Sequence, residues 1–153
     1  MSLRVNVYGK TDKGLVRSGN EDYIHIDEDH HVYAVCDGMG GHQAGEVASM
    51  TASETILKAF TYFGEELSKD PGLGFSKTLP PNGDLLLRAI RLANRSIYST
   101  ALQDQGLTGM GTTVVAVALE ADIMSVAHVG DSRAYCLRER ELEPLTRDHS
   151  WVA

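Results

Sequence analysis

The apolar residues of this chain change period twice, and that change restricts its fold more than any other feature. Residues 5–8, 23–26 and 32–36 are short β-rich runs, and the polar tip Asp27-Glu28-Asp29-His30-His31 between the last two predicts a hairpin. From Ala44 the period becomes helical. Ala44, Ala48, Ala52, Ile56 and Phe60 recur every four residues, flanked by Val47, Leu57 and Phe63, which predicts an amphipathic helix ending near Gly64. Pro71, Pro80 and Pro81 fall between Gly64 and Asp84 together with Gly72, Gly74 and Gly83, so that stretch reads as a connecting loop. A second helix follows, N-capped by Asn82 or Asp84, burying Leu86, Ile90, Ala93, Ile97 and Ala101 and stopping before Gly106. Strand runs return at 113–119, 123–129 and 133–137, joined by Glu120-Ala121-Asp122 and Gly130-Asp131-Ser132, and a meander is the simplest topology. Strands, two helices and strands again, without regular alternation, indicate an α+β fold with helices packed on antiparallel sheet faces.

Composition narrows the function classes. The chain has 153 residues, 42% hydrophobic and 23% charged, the profile of one globular domain. Fourteen Lys and Arg stand against twenty-one Asp and Glu, a net charge of −7, and no basic run breaks the balance, so no nucleic-acid partner is expected. No stretch reaches the roughly 18 uninterrupted apolar residues of a membrane span; the best candidate, 113–130, is broken by Glu120 and Asp122. The start, MSLRVNVYGK, lacks the apolar core of a secretory signal, and the expected compartment is the cytoplasm. Cys36 and Cys136 each sit in an apolar run and are expected as reduced thiols packed as small core side chains.

The chemistry-bearing residues are acids at the ends of apolar strands. Asp37 ends the run 32–36 and is followed by Gly38, Gly40 and Gly41. An unpaired carboxylate there must be solvated, hydrogen-bonded or bound to a cation, and the glycines let backbone come close. Nucleotide loops do not fit. Gln43 stands where a dinucleotide fingerprint needs its third Gly, and Glu46 follows Gly40 and Gly45 where a phosphate-cradling loop needs Lys. No G-x-S-x-G is present. Two further groups are Arg17-Ser18-Gly19-Asn20-Glu21-Asp22, ahead of a strand, and Gly130-Asp131-Ser132-Arg133, in a turn. Each acid alone has an ordinary explanation: Asp37 as a helix cap, Glu21 and Asp22 as a solvated turn, Asp131 as a cap of its own backbone. Together, three acid sites and one Arg lie at strand ends, where a sandwich can gather them at one rim. Hard oxygen ligands of this kind suit Mg²⁺ or Mn²⁺.

Five motifs in order then resemble a known family: Thr11-Asp12-Lys13-Gly14 with Arg17-x-x-Asn20-Glu21-Asp22; Asp37-Gly38-Met39-Gly40-Gly41-His42; Met110-Gly111-Thr112-Thr113; Val129-Gly130-Asp131-Ser132-Arg133-Ala134-Tyr135; and Thr146-x-Asp148-His149-Ser150. The set is similar to the bacterial branch of the PP2C-type (PPM) metal-dependent serine/threonine protein phosphatases. The resemblance implies a sandwich of antiparallel sheets flanked by helices and hydrolysis of phosphoserine or phosphothreonine on proteins by a metal-activated water. It implies that Asp37 bridges two divalent ions, Mn²⁺ or Mg²⁺, that the Gly38 carbonyl completes one shell, that Glu21 holds a metal-bound water, and that Asp22 acts around the same ions. Asp131 would help hold a third ion, Arg17 would bind the substrate phosphate, and His42 would be a substrate-side residue able to supply a proton. Some relatives carry His directly after the Asp-Gly pair, where Met39 stands here.

The family's catalytic domain is longer, and two further metal-binding aspartates lie beyond Ala153 in its pattern. The expectation is therefore that residues 1–153 are the N-terminal portion of one such domain, with the C-terminal part of the fold absent, weak or partial metal occupancy, little turnover, and open apolar faces and strand edges. Either the chain is a piece of a longer phosphatase or a partner supplies the rest, such as a second copy exchanging elements. The alternative is a pseudophosphatase that keeps the Arg17 pocket and binds phosphoproteins or a regulator.

Overall fold

The computed structural model describes residues 4–41 and 43–149. The expected hairpin is formed by β1 (Asp22–Asp27) and β2 (Val32–Met39), with Asp22 opposite Asp37 and Asp27 opposite Val32. Asp27 closes its turn: Oδ1 accepts the N–H groups of Asp29 and His30, each at 3.0 Å, and Oδ2 meets His30 Nδ1 at 2.8 Å. The two-residue β3 (Gly111–Thr112) pairs with the end of β2, and β4 (Val114–Glu120) continues along it before turning back into β5 (Ile123–Val129). All neighbours are antiparallel and the main order is β1-β2-β4-β5.

The two long helices, α1 (Gln43–Lys58) and α3 (Pro81–Gln103), cover one face of this sheet. Alternation along β2 puts Val32, Ala34, Cys36 and Gly38 inward, and the alanine stripe of α1, Ala44, Ala48 and Ala52, meets them fully or almost fully buried. Small side chains on both surfaces allow close approach. The opposite face is apolar and open, with Ile26, Val35 and Met124 each at least 40% exposed. No described helix is long and apolar enough to cross a membrane.

The structure corrects five local expectations. Residues 5–8 are not a strand; the segment passes over the β1 side chains, where a Cβ on Gly9 would lie 2.9 Å from Ile26 Cδ1, and so runs over the face of β1 rather than along its free edge. The first helix does not stop at Gly64. It passes through a π-helical turn, Ala59–Phe63, into α2 (Gly64–Lys69), and the chain leaves at Asp70, held extended by Pro71. Neither Asn82 nor Asp84 caps α3, which starts with Pro81 in its first turn; the Asn82 N–H is taken by Glu120 Oε2 at 3.1 Å from across the sheet.

The supposed loop 64–84 is pinned to α3 by three arginines. Arg88, 3% exposed, donates to Asp84 Oδ2 at 2.7 Å and to the Leu67 carbonyl at 2.8 Å, and lies 5.3 Å from the Phe75 ring centroid. Arg91 donates to the Leu73 carbonyl and Arg95 to Asp70 Oδ2, each at 2.7 Å. Last, the meander ends at β5: the run expected at 133–137 forms β6 (Tyr135–Arg138) but pairs with β7 (Glu141–Pro144), a strand the apolar pattern does not show because its residues are exposed. A two-pronged bond from Arg133 to Asp148, 2.8 and 2.7 Å, fastens the chain beyond that hairpin.

Candidate metal and phosphate site

The site begins with register. Gly38 N–H donates to the Glu21 carbonyl at 3.0 Å, which makes the next opposed pair, Asp22 and Asp37, one without mutual backbone bonds. Such pairs have Cα atoms only ~4.5 Å apart and side chains on one face. Two carboxylates are thereby pressed together at a sheet end. Partial burial pushes the Asp37 carboxyl above the usual carboxylate range, as do the Asp22 carboxylate within hydrogen-bonding reach and the charges of Asp131 and Glu21.

Backbone contacts hold the pair from the other side. The Asp37 N–H donates to Thr113 Oγ1 at 3.2 Å, and the Thr113 N–H returns a bond to the Asp37 carbonyl at 2.9 Å. The same Oγ1 lies 2.6 Å from Ser132 Oγ, so one hydroxyl ties the Asp37 strand to the turn that carries Asp131. Beyond Met39, Gly41 takes φ +74° and its carbonyl accepts the Ala44 N–H at 3.1 Å, folding the chain straight into α1. This brings α1 onto the strand backbone. A Cβ on Gly38 would strike the Gly45 carbonyl oxygen, and one on Gly45 would strike Glu21 Oε2 and lie 2.7 Å from Glu21 Cδ. Glu21 therefore rests against the first turn of α1, where the helix dipole favours a carboxylate.

A cleft of ≈ 290 Å³ is lined by Arg17, Glu21, Asp22, Asp37 and Gly38, so the residues singled out from the sequence share one concavity. Lys13 lines it as well. Arg17 has no ion-pair partner among the described residues. Asp131 is not in the lining but acts on the Asp37 charge. The convergence is not complete: among the described residues no three His, Cys, Asp or Glu side chains form a group able to hold a metal ion. His42 lies outside the described residues. Thr113 is the site residue that sequence reasoning overlooked as an individual; its only signal was membership of the Met110-Gly111-Thr112-Thr113 motif.

The donor set still fits a hard divalent cation in kind. It is all oxygen, it concentrates negative charge, and no cationic side chain among the described residues pairs with Asp37. It falls short in number.

Comparison with known proteins gives a consistent result. A family model described as protein phosphatase 2C matches residues 16–151. The chain is 34% identical over 155 residues to the serine/threonine protein phosphatase PstP of Mycobacterium tuberculosis, covering 99% of this chain and 26% of the relative. It is 36% identical over 146 residues to the serine/threonine phosphatase stp of Listeria monocytogenes, covering 94% and 54%. A crystal structure of the catalytic domain of PstP in complex with two manganese ions superposes with a TM-score of 0.73 at 35% identity, covering 94% of this chain and 55% of that one. The chain thus spans about a quarter to about half of the relatives it matches.

Proposed function

Because this chain belongs to the protein phosphatase 2C family, we propose that it carries the Asp37 half of a metal site that hydrolyses phosphoserine and phosphothreonine esters on proteins. The observation that carries the reading is the Asp22–Asp37 pair opposed across β1 and β2, with Arg17 in the same cleft. Asp37, the Gly38 carbonyl, Asp22 and Glu21 would hold the cations, Mn²⁺ or Mg²⁺, with Asp131 toward a further ion. When bound, such ions reverse the local negative field toward a phosphate dianion and acidify a coordinated water. Arg17 presents a planar fork of donors matched to phosphate oxygens, which Lys would match less well. Thr113 fixes the strand end that carries Asp37, and the Gly38–Gly45 contact keeps solvent out of the seam behind it.

A protein extended to the length of its relatives tests this. Its hydrolysis of phosphothreonine peptides should require Mn²⁺ or Mg²⁺, vanish in Asp37→Asn, and show a raised KM in Arg17→Ala. Turnover that survives chelation or Asp37→Asn overturns the proposal. The 153-residue chain itself should turn over little, since affinity follows ligand charge and count. A second reading is a phosphoprotein-binding pseudophosphatase that keeps the Arg17 pocket, where Arg17 has no ion-pair partner among the described residues and is open to a phosphate. It would show as phosphopeptide binding without turnover in the extended protein at saturating Mn²⁺.

A further inference from the structure

Beside the acidic cleft lies a larger apolar groove of ≈ 810 Å³ between α3 and the β2–β3 end of the sheet. Its floor is made by Ile90, Ile97, Met110 and Val114, each at most 9% exposed. Its rim carries Met39, Tyr98 and Leu102, which are 65%, 66% and 71% exposed. Large apolar side chains exposed around a preformed concavity mark a binding site. The two arginines that reach it are engaged elsewhere, Arg91 with the Leu73 carbonyl and Arg95 with Asp70, so the groove presents no free charge to a ligand.

What it should bind follows from where it sits. Met39 lines both the cleft and the groove. Asp37 and Met39 are alternate residues of β2 on the face away from α3, about 7 Å apart along the strand, and Met39, at the strand's end, is where the cleft on that face meets the groove on the other. An extended peptide covers that distance in about two residues. We propose that the groove is a substrate subsite taking an apolar side chain, such as Leu or Phe, from a position roughly two to four residues from the phosphorylated Ser or Thr. The proposal rests on the phosphatase reading of the cleft. It makes this region a selector among phosphoproteins by the apolar residue flanking the ester, with Met39 as the sill between the two compartments.

The test is fluorescence anisotropy of labelled phosphothreonine peptides binding the full chain in Mn²⁺, comparing Leu or Phe with Ser at those positions on each side. One set of apolar-flanked peptides should bind about tenfold more tightly than its Ser counterpart, in line with burial of one such side chain less its ordering cost. Leu102→Asp, at an exposed rim position the fold can tolerate, should abolish that preference and leave binding of the Ser-flanked peptide unchanged. Equal binding of all flanks, or a preference that persists in Leu102→Asp, overturns the subsite while Arg17-dependent phosphopeptide binding keeps the phosphatase reading intact. Binding indifferent to the phosphate and to Arg17→Ala overturns both. The same comparison in the protein extended to family length covers the remaining occupant: a preference lost there means that the rest of the chain fills the groove, and the proposal falls.

Discussion

Gly38 and Gly45 touch across the seam between β2 and α1, and replacing each by alanine should have a different consequence. A Cβ on Gly38 would fall on the Gly45 carbonyl oxygen, 2.5 Å from the Gly45 carbonyl carbon and 2.7 Å from the Glu21 carbonyl oxygen. All three are backbone atoms, so no rotamer change relieves the overlap. Restoring ordinary contact at 3.4 Å or more requires strand and helix to part by about 1 Å. Overpacking against atoms that cannot swing away belongs at the upper end of the usual cost, about 3 kcal/mol. At ~2–4 °C per kcal/mol for a chain of this size, Tm should fall by about 6–12 °C. A Cβ on Gly45 instead meets the carboxyl end of Glu21, which can rotate, and the Gly38 carbonyl carbon at 3.1 Å. The helix gains about 1 kcal/mol from Ala over Gly, which offsets the mild backbone contact. Gly45→Ala should therefore melt within ~3 °C of the parent chain, yet with Glu21 displaced it should lose most of any Mn²⁺-induced rise in Tm. Thermal unfolding by circular dichroism, with and without millimolar Mn²⁺, reads both. A Gly38→Ala chain that melts like the parent would refute the close approach. A Gly45→Ala chain that keeps the full Mn²⁺ response would refute the placement of Glu21 against α1.

Thr113→Val should cost about 1–3 kcal/mol in urea denaturation and weaken Mn²⁺ binding, because it strips the acceptor from the Asp37 N–H and the partner from Ser132, whereas a wild-type Mn²⁺ titration would show the hydroxyl to be dispensable. Arg88→Met should cost about 3 kcal/mol and open residues 64–80 to limited proteolysis, since it takes the guanidinium from the largely buried Asp84 carboxylate, leaving it the Ser76 N–H alone, and leaves the Leu67 carbonyl only the long bond from the Asp70 N–H; a loss under about 1 kcal/mol would contradict that role. Burial works against the Asp27 carboxylate, but the bonds and charge from His30 and the Asp29 N–H outweigh it and hold its carboxyl below the usual range. A depressed folded value means stability that is present above the unfolded value of ~3.9 and lost as pH falls through the folded one. The stability difference between the parent chain and Asp27→Asn should accordingly shrink as pH falls below about 4, and a difference that persists undiminished down to about pH 2 would contradict it. Burial pushes the Cys36 thiol up to about 12, so iodoacetamide should label the half-buried Cys136 in the native chain and reach Cys36 only on unfolding, as read by peptide mass spectrometry.

The hairpin, both long helices and β4–β5 were legible in the sequence because each buries one continuous stripe, and a stripe leaves a period. The failures share a cause. Residues 5–8 look like a strand by composition, but pairing needs the segment to run along an edge and here it runs over the face of β1, a placement that composition does not record. β7 is invisible because Glu141–Pro144 lies wholly exposed and obeys no burial rule. Gly64 was misread as a stop because a glycine's permissiveness does not say which backbone region it uses, and here it stays helical at φ −53°. For the site, the acids could be named because charged residues at the ends of apolar runs stand out. That Asp22 faces Asp37 depends on register, and that Glu21 leans on α1 depends on the missing side chain of Gly45, and neither can be seen along the chain.

The arginines of α3 have an evolutionary corollary. Arg88 and Arg91 grip the strap through the carbonyls of Leu67 and Leu73, which every amino acid possesses. The helix thus dictates the path of the segment while leaving most of the segment's own spelling unconstrained, so homologues should diverge fastest in letters along the strap and slowest at the guanidinium positions that hold it.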